Sequence, residues 1–202
     1  SGQWLADGHM ALVLFAVLAS AYLLTFSGDF SSIDELAMYA STESLVQIHQ
    51  LSTPQVTFAP FHNPVGAIEP AQSLAAAPLY LLAQQFARVN NIHAVLLLSV
   101  FATAATGATL FMILRGLHYR RVVSFLVALG YGLATTAWPY ARSFFREPLV
   151  ALMWTLATLA LIIWRETGRR WYLCSCFIAL GLSLVAKASS LVAIPGFLIA
   201  IA

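Results

Sequence analysis

The chain has 202 residues, of which 60% are hydrophobic and only 9% charged, with a net charge of +2 and a mean hydropathy of +0.83. Soluble domains carry about 25% charged residues, so this much apolar surface cannot all become core, and an ordinary soluble globular fold is excluded. Several apolar runs approach the roughly 20 residues that cross a bilayer, and the expected fold class is an all-α, polytopic transmembrane helix bundle.

The first apolar run, about 10–26, is free of charge and reads as a first span. It has no small-residue cleavage site of the kind that ends a signal peptide. Residues 27–91 form a long loop that holds most of the acids. Within it, Ser32 and Glu35 have the spacing of a capping box, which predicts a helix from Ile33 to about His49. Ile33, Leu36, Ala37, Ala40 and Ser44 share one face of that helix, the pattern of an amphipathic helix lying on a membrane surface. Residues 51–70 read as irregular, broken by Pro54, Pro60, Pro64, Gly66 and Pro70. Residues 71–88 are again helical in pattern, with Pro78 expected to kink or divide them.

Further spans are expected at about 92–114, 122–138, 148–164 and 171–186, with a sixth at 188–202 that the sequence cuts off. Gly130 and Gly132 soften the third span, and Pro148 suits the first turn of the fourth. Trp138, Tyr140, Trp164 and Trp171 read as an aromatic belt. Cys174 and Cys176, two apart on a helix, point to different faces and read as packing residues. His62 and His93 read as interfacial, without ligand spacing for a metal. Starting at Ser1 and stopping within an apolar run, the chain reads as the N-terminal part of a larger transmembrane domain whose C-terminal remainder is missing.

The location of the charges orients this scheme. Arg115, Arg120, Arg121, Arg165, Arg169 and Arg170 fall in two turns on one side, which the positive-inside rule makes cytoplasmic. The opposite, extracytoplasmic surface then receives Asp34 and Glu35 after the first span, Arg142, Arg146 and Glu147 between the third and fourth, and Lys187 between the fifth and sixth. Ionisable groups near membrane depth are costly and usually face a cavity or a partner. Carboxylates and cations gathered there suit chemistry on an anionic, membrane-borne substrate. Plainer roles are also open. Glu35 can close the capping box, Asp34 can serve the helix dipole, Glu147 can pair with Arg146 or Arg142, and Arg142, Arg146 and Lys187 can snorkel.

Three short pieces carry a family resemblance: Ile33-Asp34-Glu35-Leu36-Ala37-Met38-Tyr39-Ala40, Phe145-Arg146-Glu147-Pro148-Leu149 and Leu184-Val185-Ala186-Lys187-Ala188. In this order and on this side of the membrane, they resemble the C-type multispan glycosyltransferases that use polyprenyl-phosphate sugars, a group that includes the protein O-mannosyltransferases and the lipid A aminoarabinose transferase. The stretch from Ala71-Gln72-Ser73-Leu74 to Pro78-Leu79-Tyr80-Leu81-Leu82 is similar to the loop helix that leads to the family's second span.

The resemblance implies an enzyme of the plasma (inner) membrane whose site faces away from the cytoplasm. Asp34 would be the catalytic acid–base residue with Glu35 beside it, and Glu147 the second catalytic acid, where many relatives have Asp-Pro rather than Glu-Pro. Lys187, followed here by alanine where many relatives have glycine, would bind the donor phosphate together with Arg142 and Arg146. The partners implied are a polyprenyl-phosphate sugar donor and a lipid, glycan or protein acceptor, with no nucleic acid; ligand spacing implies no metal cofactor, and a divalent cation held with help from Glu147 is compatible with the family. Two other classes compete. A multispan transporter or flippase for a lipid-linked or polar substrate would place functional charge near the bilayer midplane, on broken helices at repeat-related positions; no repeat is visible here. A non-catalytic assembly subunit would tolerate neutral substitutions of Asp34 and Lys187.

Overall fold

The computed structural model describes residues 2–52, 69–86 and 88–201, and the regular elements among these are all helices, without a strand. The breakers Pro54, Pro60, Pro64 and Gly66, and His62, lie outside the described residues. The helices are α1 (Gly2–Leu24), α2 (Ile33–Ile48), α3 (Ala71–Gln84), α4 (Asn91–Gly116), α5 (Arg121–Ala134), α6 (Ala137–Ala141), α7 (Glu147–Thr167), α8 (Arg170–Ala186) and α9 (Ile194–Ile201), with a 3₁₀ turn Ala188–Ala193 between the last two. Among the described residues three helical stretches are long and apolar enough to cross a membrane: Ala6–Leu24, Asn91–Gly116 and Glu147–Thr167. Shorter apolar stretches lie at Arg121–Ala134, Arg170–Ala186 and Ala188–Ile201.

Helix α4 is the centre, packed against α1, α3, α5, α6 and α7, while α7 and α8 form a second hairpin. Small residues allow the close approach. Leu18 of α1 fills the space where side chains at Gly107 of α4 and Gly132 of α5 would stand. Next to it, the buried Tyr22 hydroxyl donates to the Gly132 carbonyl at 3.0 Å. Leu14, Leu18, Tyr22, Val100, Ala104 and Phe111 form the core of this half. In the chain after α1, Gly28 has φ +76°, and the His93 imidazole lies 2.6 Å from where its Cβ would be. Only glycine meets both conditions.

One end of the bundle is tied by an acid that the sequence reading passed over. Asp7 is buried and accepts from Arg115 Nε at 2.8 Å and Arg121 Nε at 2.9 Å, joining the start of α1 to the α4–α5 turn. Asp7→Asn leaves the largely buried Arg115 without its counter-charge, a loss of about 3 kcal/mol. We expect the unfolding midpoint in detergent to fall by roughly 5–10 °C. An unchanged melting curve would show the triad to be idle.

Several boundaries differ from the sequence-based expectation. The third span stops at Ala134, because in a continuous helix Pro139 would clash with the carbonyl four residues back, that of Thr135. There the backbone is extended and the chain restarts as α6. Trp138 is partly buried: its indole Nε1 donates to Thr25 Oγ1 at 3.0 Å and its ring packs against the α1–α4 core. Helix α3 runs through Pro78 undivided and ends at Gln84, so Arg88 lies beyond it. The expected sixth span is split. Lys187 ends α8 in extended backbone, a 3₁₀ turn follows, and Pro195 sits in the first turn of α9.

Of the five residues expected on one face of α2, Ala37, Ala40 and Ser44 are buried, together with Glu35, Met38 and Thr42, while Ile33 and Leu36 are 56% and 45% exposed. Met38 joins Ala76 and Tyr80 of α3 and Phe144 in a second core. Cys176 is buried and Cys174 exposed, both as free thiols, on different faces as their spacing implies.

Candidate functional site

At the end of the bundle opposite Asp7, the short segment between α6 and α7 gathers polar groups from four other parts of the chain. Helix α2 starts because the Ser32 side chain accepts from Glu35 N at 3.2 Å, half of the expected capping box. The other half is not made in the usual way. The Glu35 carboxylate, fully buried, accepts from Ser31 Oγ at 2.6 Å and from the Phe144 backbone N–H at 3.0 Å. Glu35 therefore fastens the start of α2 to the 142–146 turn through Oε2, while Oε1 holds Ser31 just before the helix. Asp34, one position earlier in the first turn, is exposed and has no side-chain partner among the described residues.

The rest of the turn is tied in the same manner. Arg142 donates from Nη1 to the Thr25 carbonyl at 3.1 Å, and its buried Nε has no partner among the described residues. Arg146 forms an ion pair with Glu69, and the second Glu69 oxygen accepts from Ala188 N at 3.1 Å. Lys187 Nζ meets Glu147 Oε1 at 2.5 Å, while Glu147 Oε2 is buried without a partner among the described residues. Glu147 opens α7 with Pro148 behind it, an arrangement favoured because a first-turn carboxylate meets the helix dipole and proline needs no N–H there.

The structure thus brings Arg146, Glu147 and Lys187 into one cluster and Glu35 and Arg142 onto the same turn. It also adds Glu69, which has an outer-surface position in the sequence but no motif to mark it. Arg146 and Lys187 do not snorkel freely; each is held by a carboxylate, at partly exposed positions. Among the described residues no group of three or more His, Cys, Asp or Glu side chains converges. The described residues thus hold no all-protein ligand set for a divalent cation, and no step is routed through one.

Between α4, α5, α6 and α7 lies a cavity of 280 Å³, with Glu147 in its wall beside Thr103, Tyr131, Thr135, Thr136 and Tyr140. A second polar group lies off the turn. Tyr80 of α3 donates to Glu43 of α2 at 3.0 Å and accepts from Gln47 Nε2 at 3.0 Å. Burial, reinforced by the Glu43 carboxylate, pushes the Tyr80 phenol above its ordinary range, so it remains a donor and no base. Burial likewise pushes Tyr39 upward.

No protein-family model, no curated protein and no solved structure matches this chain, and the reading of its chemistry rests on its own residues.

Proposed function

We propose that this chain is part of a multi-pass glycosyltransferase of the plasma (inner) membrane, which moves a sugar from a polyprenyl-phosphate donor to an acceptor hydroxyl on the extracytoplasmic side. The observation that carries the reading is the convergence on the 142–147 segment: Glu35, Glu69 and Lys187, far apart in sequence, all engage it. A site that alternates acids and cations at one end of an apolar bundle suits a phosphate-bearing lipid and a reaction that moves a proton.

In this reading Asp34 is the general base. It takes the proton of the acceptor hydroxyl as that oxygen forms its bond to the anomeric carbon. The bond from that carbon to the donor phosphate breaks, and polyprenyl phosphate departs with the electron pair. The departing group needs positive charge more than a proton, and Lys187 and Arg146 supply it. Their carboxylate partners are 36% and 30% exposed, and pairs this open are worth about 0–1 kcal/mol. A donor phosphate can therefore displace Glu69 and Glu147 at little cost, and Glu147, once released, orients the acceptor. Arg142, tied to Thr25, is the less available cation. Glu35, with both oxygens engaged, steadies the turn rather than moving a proton.

A transporter remains the competing reading, favoured by the extended backbone at Lys187 and the 3₁₀ turn Ala188–Ala193 after it, which interrupt the α-helix along an apolar path. The deciding experiment supplies the full-length protein in sealed membranes with radiolabelled polyprenyl-phosphate sugars. Label carried onto lipid, glycan or protein supports the transferase. Label that crosses the membrane still attached to its polyprenyl phosphate supports the transporter and overturns the transferase.

A further inference from the structure

We infer that the cavity between α4, α5, α6 and α7 binds a neutral, ring-sized polyol, a monosaccharide unit, against the free oxygen of Glu147. In taking that unit as a reacting sugar the inference rests on the transferase reading; the binding itself follows from the cavity.

Hydrogen-bond accounting decides the ligand class. The hydroxyl proton of Thr103 is spent on the Ser99 carbonyl at 2.8 Å, and that of Thr135 on the Tyr131 carbonyl at 2.6 Å. Thr103 Oγ1 is left with acceptor capacity, and Thr135 Oγ1 with less, since it already accepts from Ala137 N at 3.1 Å. Glu147 Oε2 is a buried acceptor with no donor among the described residues, a condition that is costly while it lasts. Thr136, Tyr131 and Tyr140 add hydroxyls that can donate as well as accept, so the natural complement of this wall is a molecule of hydroxyls, which do both.

Charge narrows the class further. Glu147 Oε1 already faces Lys187, so the pair is neutral as it stands. An incoming cation would compete with Lys187, and an anion would meet the bare Oε2. A neutral polyol meets neither obstacle. Size sets the scale: drug-sized ligands occupy about 300–1,000 Å³, and 280 Å³ lies just below that range, enough for one sugar ring and too little for a lipid. Thr103 is buried at the floor, while Thr135, Thr136 and Tyr140 are exposed at the mouth. The Tyr131 and Tyr140 rings offer flat apolar surface to the C–H face of such a ring.

The test is saturation-transfer NMR on the full-length protein in lipid nanodiscs. Free glucose, mannose and arabinose are the probes, with choline as the cationic control. At least one sugar is expected to bind the wild type, to lose at least ten-fold in affinity in Ala151→Phe, which fills the cavity from α7, and to lose several-fold in Thr103→Val, which removes one acceptor at constant shape. Should Ala151→Phe fail to fold, the Thr103→Val comparison decides alone. No sugar binding by the wild type, binding unchanged in the folded variants, or a preference for choline would each overturn the proposal. The two readings fail separately. Sugar binding at the cavity in a protein that transfers no label keeps the site and removes the enzyme; transfer without cavity binding does the reverse.

Discussion

Asp34→Asn is expected to reduce sugar transfer by about 10²–10⁴-fold, the range that a positioned general base contributes. The loss should fall on kcat, since the amide fills the same space and still interacts with the acceptor hydroxyl but cannot take its proton. Stability should scarcely change. Asp34 is exposed and makes no side-chain bond among the described residues, so the substitution removes only a first-turn charge at the helix N-terminus, worth about 0.3–1 kcal/mol. The measurement is label transfer in membranes beside a melting curve of the purified variant. Undiminished transfer would remove the base from Asp34; lost transfer with a collapsed melting curve would make the residue structural.

The neighbouring Glu35 should behave in the opposite way. Glu35→Ala leaves the buried Phe144 N–H without its acceptor, while the exposed Ser31 hydroxyl can turn to water. A hydrogen bond to an ionised group contributes about 1.5–3 kcal/mol, and a loss of that size is expected. Transfer should fall with it, because Glu35 sets the position of the turn that carries Arg146 and Glu147. Glu35→Gln is the discriminating variant. Its amide oxygen can still accept from Phe144 N–H, and its amide nitrogen can donate to Ser31, so most of the fold and a good part of the activity should survive. If Glu35 were the base, the Gln variant would be as inactive as Asp34→Asn. The contrast assigns each of two adjacent carboxylates its role, one exposed and reactive, the other buried and structural.

The α2 helix shows why the pair could be found in the sequence but not told apart. Capping-box spacing at Ser32 and Glu35 placed the helix start at Ile33, and the structure has it there, with Ser32 as the cap. The same spacing assigned Glu35 a local partner. One oxygen does bind locally, to Ser31, but the other accepts from Phe144, 109 residues away, and no local rule reaches that far. The spacing of α2 likewise put Ile33, Leu36, Ala37, Ala40 and Ser44 on one face, but packing against α3 and Phe144 decided that Ala37, Ala40 and Ser44 are covered while Ile33 and Leu36 stay exposed.

What the sequence by itself determined is the class of the molecule and the existence of its elements. A chain with 60% hydrophobic residues must hide or immerse its backbone polar groups, and helices satisfy them locally. Hence α4 and α8 lie within two residues of their expected ends. Proline chemistry set details too, though which prolines break a helix was decided by context: Pro139 follows the break at Thr135, while Pro78 is carried inside α3. Only the tertiary structure decided the pairings. Asp7 with Arg115 and Arg121, Glu69 with Arg146, Glu147 with Lys187 and Glu35 with Phe144 all join residues 40 to 114 positions apart. Electrostatic attraction and hydrogen bonding act through distance in space, and in a helix bundle that distance is set by side-chain packing between helices, which charge and spacing along the chain do not encode.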